Sequence, residues 1–207
     1  MKTFSNRYMF IYSTVLVAVV AVILAVVATS LKPMQERNQR VETKQMLLRT
    51  IGVASTKADA EELYSKYIEE TQTEDGKPYF LFDGGVVIPL RGTGLWGPIW
   101  GYMALDAEGT VLGAVFDHKG ETPGLGGEIS TDKFAARFEG KKMDTQPIRL
   151  KKHANPQDNY EVDAISGGTM TSNGVTNMLA AAFEDYSTLL SNFNPEAGLQ
   201  TTNSHEQ

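Results

Sequence analysis

The sequence predicts an α+β protein: a single N-terminal transmembrane helix followed by one mixed α/β domain with antiparallel hairpins. Three observations carry this. Tyr8 to Leu31 holds no charged residue, and a bilayer core is spanned by ~20 apolar residues in a helix. Short runs of β-branched and aromatic residues flank tight turns at Asp83-Gly84-Gly85 and Asp106-Ala107-Glu108-Gly109, the pattern of hairpins. Near the C-terminus, Val175, Met178, Leu179, Ala182, Phe183, Tyr186, Leu189 and Leu190 recur at helical spacing.

Taken in order, residues 8–31 read as the anchor, since a cleavable signal has a shorter apolar region. Ala28-Thr29-Ser30 resembles a cleavage site, so a removed signal is the alternative. Lys2 and Arg7 before the segment and Lys32, Arg37, Arg40 and Lys44 after it leave the orientation undecided by charge. Residues 32–56 read as a stalk and docking helix, with Val41, Met46, Leu47, Leu48 and Ile51 among charges. The domain then occupies 57–194, and 195–207 form a polar tail.

Within the domain, Thr56 with Asp59 signals a helix from Lys57 to Glu69, its stripe of Leu63, Tyr64, Tyr67 and Ile68 facing the core. Thr71 to Lys77 is a polar turn. Tyr79 to Phe82 and Val86 to Ile88 form a first hairpin, with Pro89 marking an edge. Ile99 to Leu105 and Val111 to Phe116 form a second. A helix from Thr131 to Phe138, capped by Ser130, stops at Gly140. Pro147 to Leu150 and Tyr160 to Val162 are strands, and the last helix runs from about Ser172 to Phe193.

Composition excludes several functions. The 207 residues contain no cysteine, which removes thiolate metal sites, Fe–S clusters, disulfides and a cysteine nucleophile. Redox chemistry therefore needs an added cofactor. The net charge is −6, and −8 once Lys2 and Arg7 are set aside, so the domain is a poor partner for nucleic acid. His118 beside Asp117 and Glu121 invites a metal or general-base reading, but no His-Glu-x-x-His spacing accompanies it and His153 and His205 are distant in sequence. A serine triad lacks its Gly-x-Ser-x-Gly elbow.

The densest signal is Asp163 to Asn173, Asp-Ala-Ile-Ser-Gly-Gly-Thr-Met-Thr-Ser-Asn. A strand end enters a helix across Gly167 and Gly168, and Ser166, Thr169, Thr171 and Ser172 can cap that helix. Free N–H groups and the helix dipole there favour an anion, a phosphate above all. No Gly-Lys-Ser/Thr follows, so this is not a Walker loop. Two further glycine-rich stretches suit close backbone approach: Arg91 to Gly97, bearing Leu95 and Trp96, and Asp117 to Glu128. Trp96 and Trp100 suit either core filling or a place beside a flat ligand.

Asp-x-x-Ser-Gly-Gly-Thr-x-Thr resembles the signature at which a flavin transferase attaches FMN, through a phosphoester, to the last threonine, here Thr171. Where that signature has Ala, this chain has Gly168. His118 to Ile129, containing Glu-Thr-Pro-Gly-Leu-Gly, and Gly94-Leu95-Trp96 with Trp100-Gly101-Tyr102 resemble the C subunit of the Na⁺-translocating NADH:quinone reductase. The resemblance implies an FMN-binding domain on the periplasmic side of a bacterial inner membrane. Its partners would be the other membrane subunits of the complex, and a flavin transferase during maturation. The chain would pass electrons and not be catalytic alone. Implied cofactor contacts are Ser166, Gly167, Gly168, Thr169 and Ser172 around Thr171, then Leu95 and Trp96, then Glu121, Thr122, Pro123, Gly124, Leu125 and Gly126. The corresponding flavoprotein of a ferredoxin:NAD⁺ reductase complex, and an anchored binding module without cofactor, are the alternatives.

Overall fold

A computed structural model describes residues 5–193, and within it the charge-free stretch lies in α1 (Asn6–Thr50), a 45-residue helix that includes Pro33. Its apolar part is the one helix among the described residues long and apolar enough to cross a membrane. The described chain divides into two compact units between Glu42 and Thr43. The polar tail expected after residue 194 lies outside the described residues.

The second unit begins with the last turns of α1, where Leu47 and Leu48 are buried. Lys44 pairs with Glu61 of α2 (Ala60–Tyr67). Five strands follow as an antiparallel meander in the order β1-β2-β3-β4-β5: Glu69–Gln72, Pro78–Phe82, Gly85–Thr93, Pro98–Leu105 and Val111–His118. Both expected hairpins are present, with Phe82 opposite Gly85 and Leu105 opposite Val111. Beyond Val87 the pairing of β3 with β2 ends while that with β4 continues. Pro89 therefore sits where a missing N–H costs least.

Residues 69–72, expected to close a helix and open a turn, form β1 instead. Helix α2 stops at Tyr67 because Ile68 is extended and buried, and the exposed Glu69-Glu70-Thr71-Gln72 run gains more from pairing with β2 than from a solvated helical turn. Its start also falls later than expected, at Ala60, although Asp59 Oδ1 does accept the Thr56 N–H at 2.6 Å. Of the expected stripe, Tyr67 is exposed, its ring lying under Lys66 Nζ.

After β5 come a short 3-10 turn (Gly126–Ser130), α3 (Asp132–Ala135) and a second 3-10 turn (Ala136–Phe138). Thr131, not Ser130, caps α3, its Oγ1 accepting the Phe134 N–H at 3.2 Å. Ser130 is the last residue of the preceding 3-10 turn, and both hydroxyls also donate into that turn, Ser130 to the Gly127 carbonyl and Thr131 to the Glu128 carbonyl. Strands β6 (Arg149–Lys151) and β7 (Glu161–Asp163) pair in parallel. The buried Glu161 holds this pair by bonding Lys151 and the Asn155 N–H.

Helix α4 (Thr169–Asn192) lays Val175, Met178, Leu179, Ala182 and Tyr186 on the sheet, joining Ile88, Leu90, Ile99, Met103 and the phenylalanines 116, 134 and 138 in one core. Two glycines set how deeply α4 lies. A Cβ on Gly174 would overlap the Thr93 carbonyl oxygen, and one on Gly92 would meet Met178 Cβ at 2.7 Å. The N-terminus of α4 thus comes down onto the end of β3, beside the β3–β4 loop.

Candidate functional site

The turn before α4 is built by Ile165 to Gly168. Ile165 is buried, Gly167 has φ +74°, a conformation that favours glycine, and the Gly168 N–H returns to the Ile165 carbonyl at 3.1 Å. None of the four hydroxyls expected to cap α4 does so, because the N-cap position falls on Gly168. The helix starts three residues earlier than expected, which carries Thr171 and Ser172 inward. Both are buried, with 2% exposure each. Ser172 Oγ accepts the Ile165 N–H at 3.1 Å, tying the helix back to the strand that precedes it. Ser166 and Thr169 remain exposed.

Thr171 has a different partner. Its Oγ1 donates to Glu121 Oε2 at 2.5 Å, fifty residues away in sequence. The other Glu121 oxygen accepts the Trp96 N–H at 2.8 Å, and the Glu121 N–H donates to His118 Nδ1 at 3.2 Å. His118 thereby shapes the glycine loop. Burial alone would push the Glu121 carboxyl up. The hydrogen bonds from Thr171, Trp96 and Leu95, with His118 nearby, outweigh it and hold the carboxyl below its ordinary value. Glycines keep this corner open: a Cβ on Gly126 would overlap both Glu121 Oε2 and Thr171 Oγ1, and one on Gly94 would meet Glu121 Oε1 at 2.5 Å.

Around this corner lies an open cleft of about 140 Å³, lined by Leu95, Trp96, Glu121, Thr122, Leu125, Gly126, Gly167, Gly168, Thr169, Met170 and Thr171. Ten residues expected from sequence thus meet in one place. Ser166, Ser172, Pro123 and Gly124 do not line it. Trp100 is half-buried in β4, whereas Trp96 is 68% exposed at the cleft rim. Met170, 59% exposed, lines the cleft without having been singled out in the sequence. It occupies the free position between Thr169 and Thr171, where only the helical turn reveals which way a side chain faces.

The arrangement suits a phosphorylated, flat, partly apolar group. The first-turn N–H groups of Thr169, Met170 and Thr171 have no acceptor within the helix and offer themselves to an anion. No lysine or arginine lines the cleft among the described residues, so those N–H groups would carry the anion's charge. The volume falls below the ~300–1,000 Å³ of pockets that enclose small molecules, so an aromatic ring held here would lie across the exposed Leu95, Trp96, Leu125 and Met170.

Comparison with known proteins identifies the domain. A family profile described as "FMN-binding domain" matches residues 94–184, a stretch that contains every residue of the cleft. Relatives named as C subunits of the Na(+)-translocating NADH-quinone reductase include one from Pasteurella multocida (strain Pm70), 45% identical over 97 residues covering 44% of this chain and 37% of the relative. One from Vibrio anguillarum is 38% identical over 131 residues, covering 58% and 51%. The crystal structure of the same subunit from Parabacteroides distasonis ATCC 8503 superposes with a TM-score of 0.71 at 33% identity, over 79% of this chain and 98% of that one. The chain belongs to the family of NADH-quinone reductase C subunits. Shewanella oneidensis NqrC shares the fold, with a TM-score of 0.63 at 20% identity over 77% of this chain and 100% of that one. Among curated members of the family, the matched stretch spans about half of the relative or less, 37% and 51% in the two above. An FMN-binding domain agrees with the cleft, whose N-terminal helix turn and apolar rim suit a flavin phosphate and ring.

Proposed function

We propose that this chain is the membrane-anchored flavoprotein subunit of a Na⁺-translocating NADH:quinone reductase, carrying FMN as a phosphoester on Thr171. The observation that supports it most is the Thr171 hydroxyl itself. It lies in the first turn of α4, lines the cleft, donates to Glu121, and has Gly126 against it, where a Cβ would overlap its oxygen. When bound, the flavin supplies reversible electron transfer. The residues of this chain hold it: the first turn of α4 takes the phosphate, and Leu95, Trp96, Leu125 and Met170 cover the ring and exclude water from one side. Ser172 ties the turn to the strand before it, and Ser166, Pro123 and Gly124 would support the two turns.

A covalent tether suits an electron relay better than an enzyme with a diffusible substrate. Among the described residues the cleft is lined by a single titratable side chain, Glu121, and by no acid and base pair. NADH oxidation, quinone reduction and Na⁺ movement then belong to other membrane subunits of the complex, and attachment to a flavin transferase. Produced together with such a transferase, the chain should fluoresce under ultraviolet light on a denaturing gel. Produced without it, the chain should be folded and dark. A dark band in both preparations would favour a binding module without cofactor.

The same reading puts the domain from about Lys32 onward on the periplasmic side of the inner membrane, anchored by residues 8–31. Protease added to spheroplasts should remove the domain. Protection in spheroplasts with cleavage only after lysis would reverse the orientation.

A further inference from the structure

We propose that Glu121 is the proton acceptor for Thr171 during flavin attachment, a catalytic group that this chain supplies to its own modification. The inference rests on the reading that Thr171 carries the flavin. An alkyl hydroxyl is a weak nucleophile unless a base removes its proton as the new bond forms. Thr171 Oγ1 already donates that proton to Glu121 Oε2 at 2.5 Å, and the two side chains are 2% and 4% exposed. Among the described residues, Glu121 is the one titratable side chain lining the cleft. Its second oxygen is pinned by the Trp96 N–H, so the accepting oxygen is aimed by the β3–β4 loop. Gly126 leaves the space in which the two oxygens meet.

The same contact explains the choice of hydroxyl. Ser166 and Thr169 are exposed and neither is hydrogen-bonded to a carboxylate, while Ser172 Oγ is committed to the Ile165 N–H. Thr171 alone of the four faces a base.

Esterification needs an activated flavin, a phosphoanhydride in which the flavin phosphate is joined to a second phosphate. Glu121 takes the hydroxyl proton while the Thr171 Oγ–phosphorus bond forms. The phosphorus–oxygen bond of the anhydride breaks, and the bridging oxygen leaves with the bonding pair on the second phosphate. No electrons change hands.

The test uses the full apo chain in detergent with purified flavin transferase and flavin adenine dinucleotide as the phosphoanhydride. Covalent incorporation is timed by intact mass, and its position is read by peptide mass spectrometry. Glu121→Gln keeps the shape and an acceptor oxygen but removes the base, and general-base catalysis contributes ~10²–10⁴-fold. Incorporation should slow by about a hundredfold or more while still ending on Thr171. Glu121→Asp keeps a carboxylate and should be faster than Glu121→Gln. A purely structural role predicts the reverse order, because Asp withdraws from Thr171 and leaves a gap. A loss of less than about tenfold in Glu121→Gln, or an Asp variant as slow as the Gln variant, overturns the proposal. Thermal melting of both apo chains reports the fold. Should Glu121→Gln not fold, the unaltered chain timed in heavy water decides, since an unchanged rate there means that no proton moves in the slow step. If the unaltered chain takes its flavin elsewhere than Thr171, the reading of Thr171 as the attachment residue fails and the role of Glu121 falls with it. A slow Gln variant modified on Thr171 leaves that reading intact.

Discussion

Thr171→Ala is expected to abolish covalent flavin when the chain is produced with a flavin transferase, whereas Thr169→Ala should lose part of it or incorporate it slowly. The two threonines differ in placement more than in chemistry. Thr169 is the exposed first residue of α4, while Thr171 is buried one half-turn on, against Glu121. Thr171→Ala also strips Glu121 Oε2 of its donor, and a buried acceptor left without a partner costs about 1–3 kcal/mol. The apo variant should therefore melt lower than the parent while remaining folded. A phosphoester found by peptide mass spectrometry on Thr169 or Ser172, with Thr171 free, would sink the assignment.

Phe134→Ala is expected to destabilise the domain by about 3–5 kcal/mol, the range for removing a buried aromatic side chain. Phe134 is fully buried, with its ring centroid 5.4 Å from both Phe116 and Phe138 at near-perpendicular angles. Such edge-to-face pairs add ~0.5–1.5 kcal/mol beyond area burial. Phe116 lies on β5 and Phe134 on α3, so the pair clamps the two ends of the glycine-rich segment that carries Glu121 to Gly126. Urea unfolding of the chain in detergent, followed by tryptophan fluorescence, measures the loss. A change below about 1 kcal/mol would show that the neighbouring rings collapse into the space. Because the clamp supports the Glu121 loop, flavin incorporation should weaken in this variant as well.

Period and turn chemistry alone determined much of this protein. A 24-residue span without charge specifies an apolar helix long enough to cross a membrane. Alternating runs around Asp-Gly turns specify hairpins, and the apolar repeat from Val175 to Leu190 specifies a helix with one buried face, because each rule concerns neighbours within a few residues. The glycine and hydroxyl motif at 163–173 marked the site for the same reason. Element ends were harder to read. Ser130 and Thr131 stand side by side in sequence, and the cap falls to Thr131 because the 3-10 turn runs through Ser130 and α3 begins only at Asp132. Strand β1 was hidden because Glu69 to Gln72 has no apolar alternation, and it exists through pairing with β2. The parallel partnership of β6 and β7 likewise rests on contacts between separate segments, among them Glu161 with Lys151. The meeting of Thr171 with Glu121 was the furthest from sequence. It requires the glycine contacts of α4 on β3, the loop bond from Trp96 and the early helix start at Thr169, all of them contacts between segments that the chain brings together only after it folds.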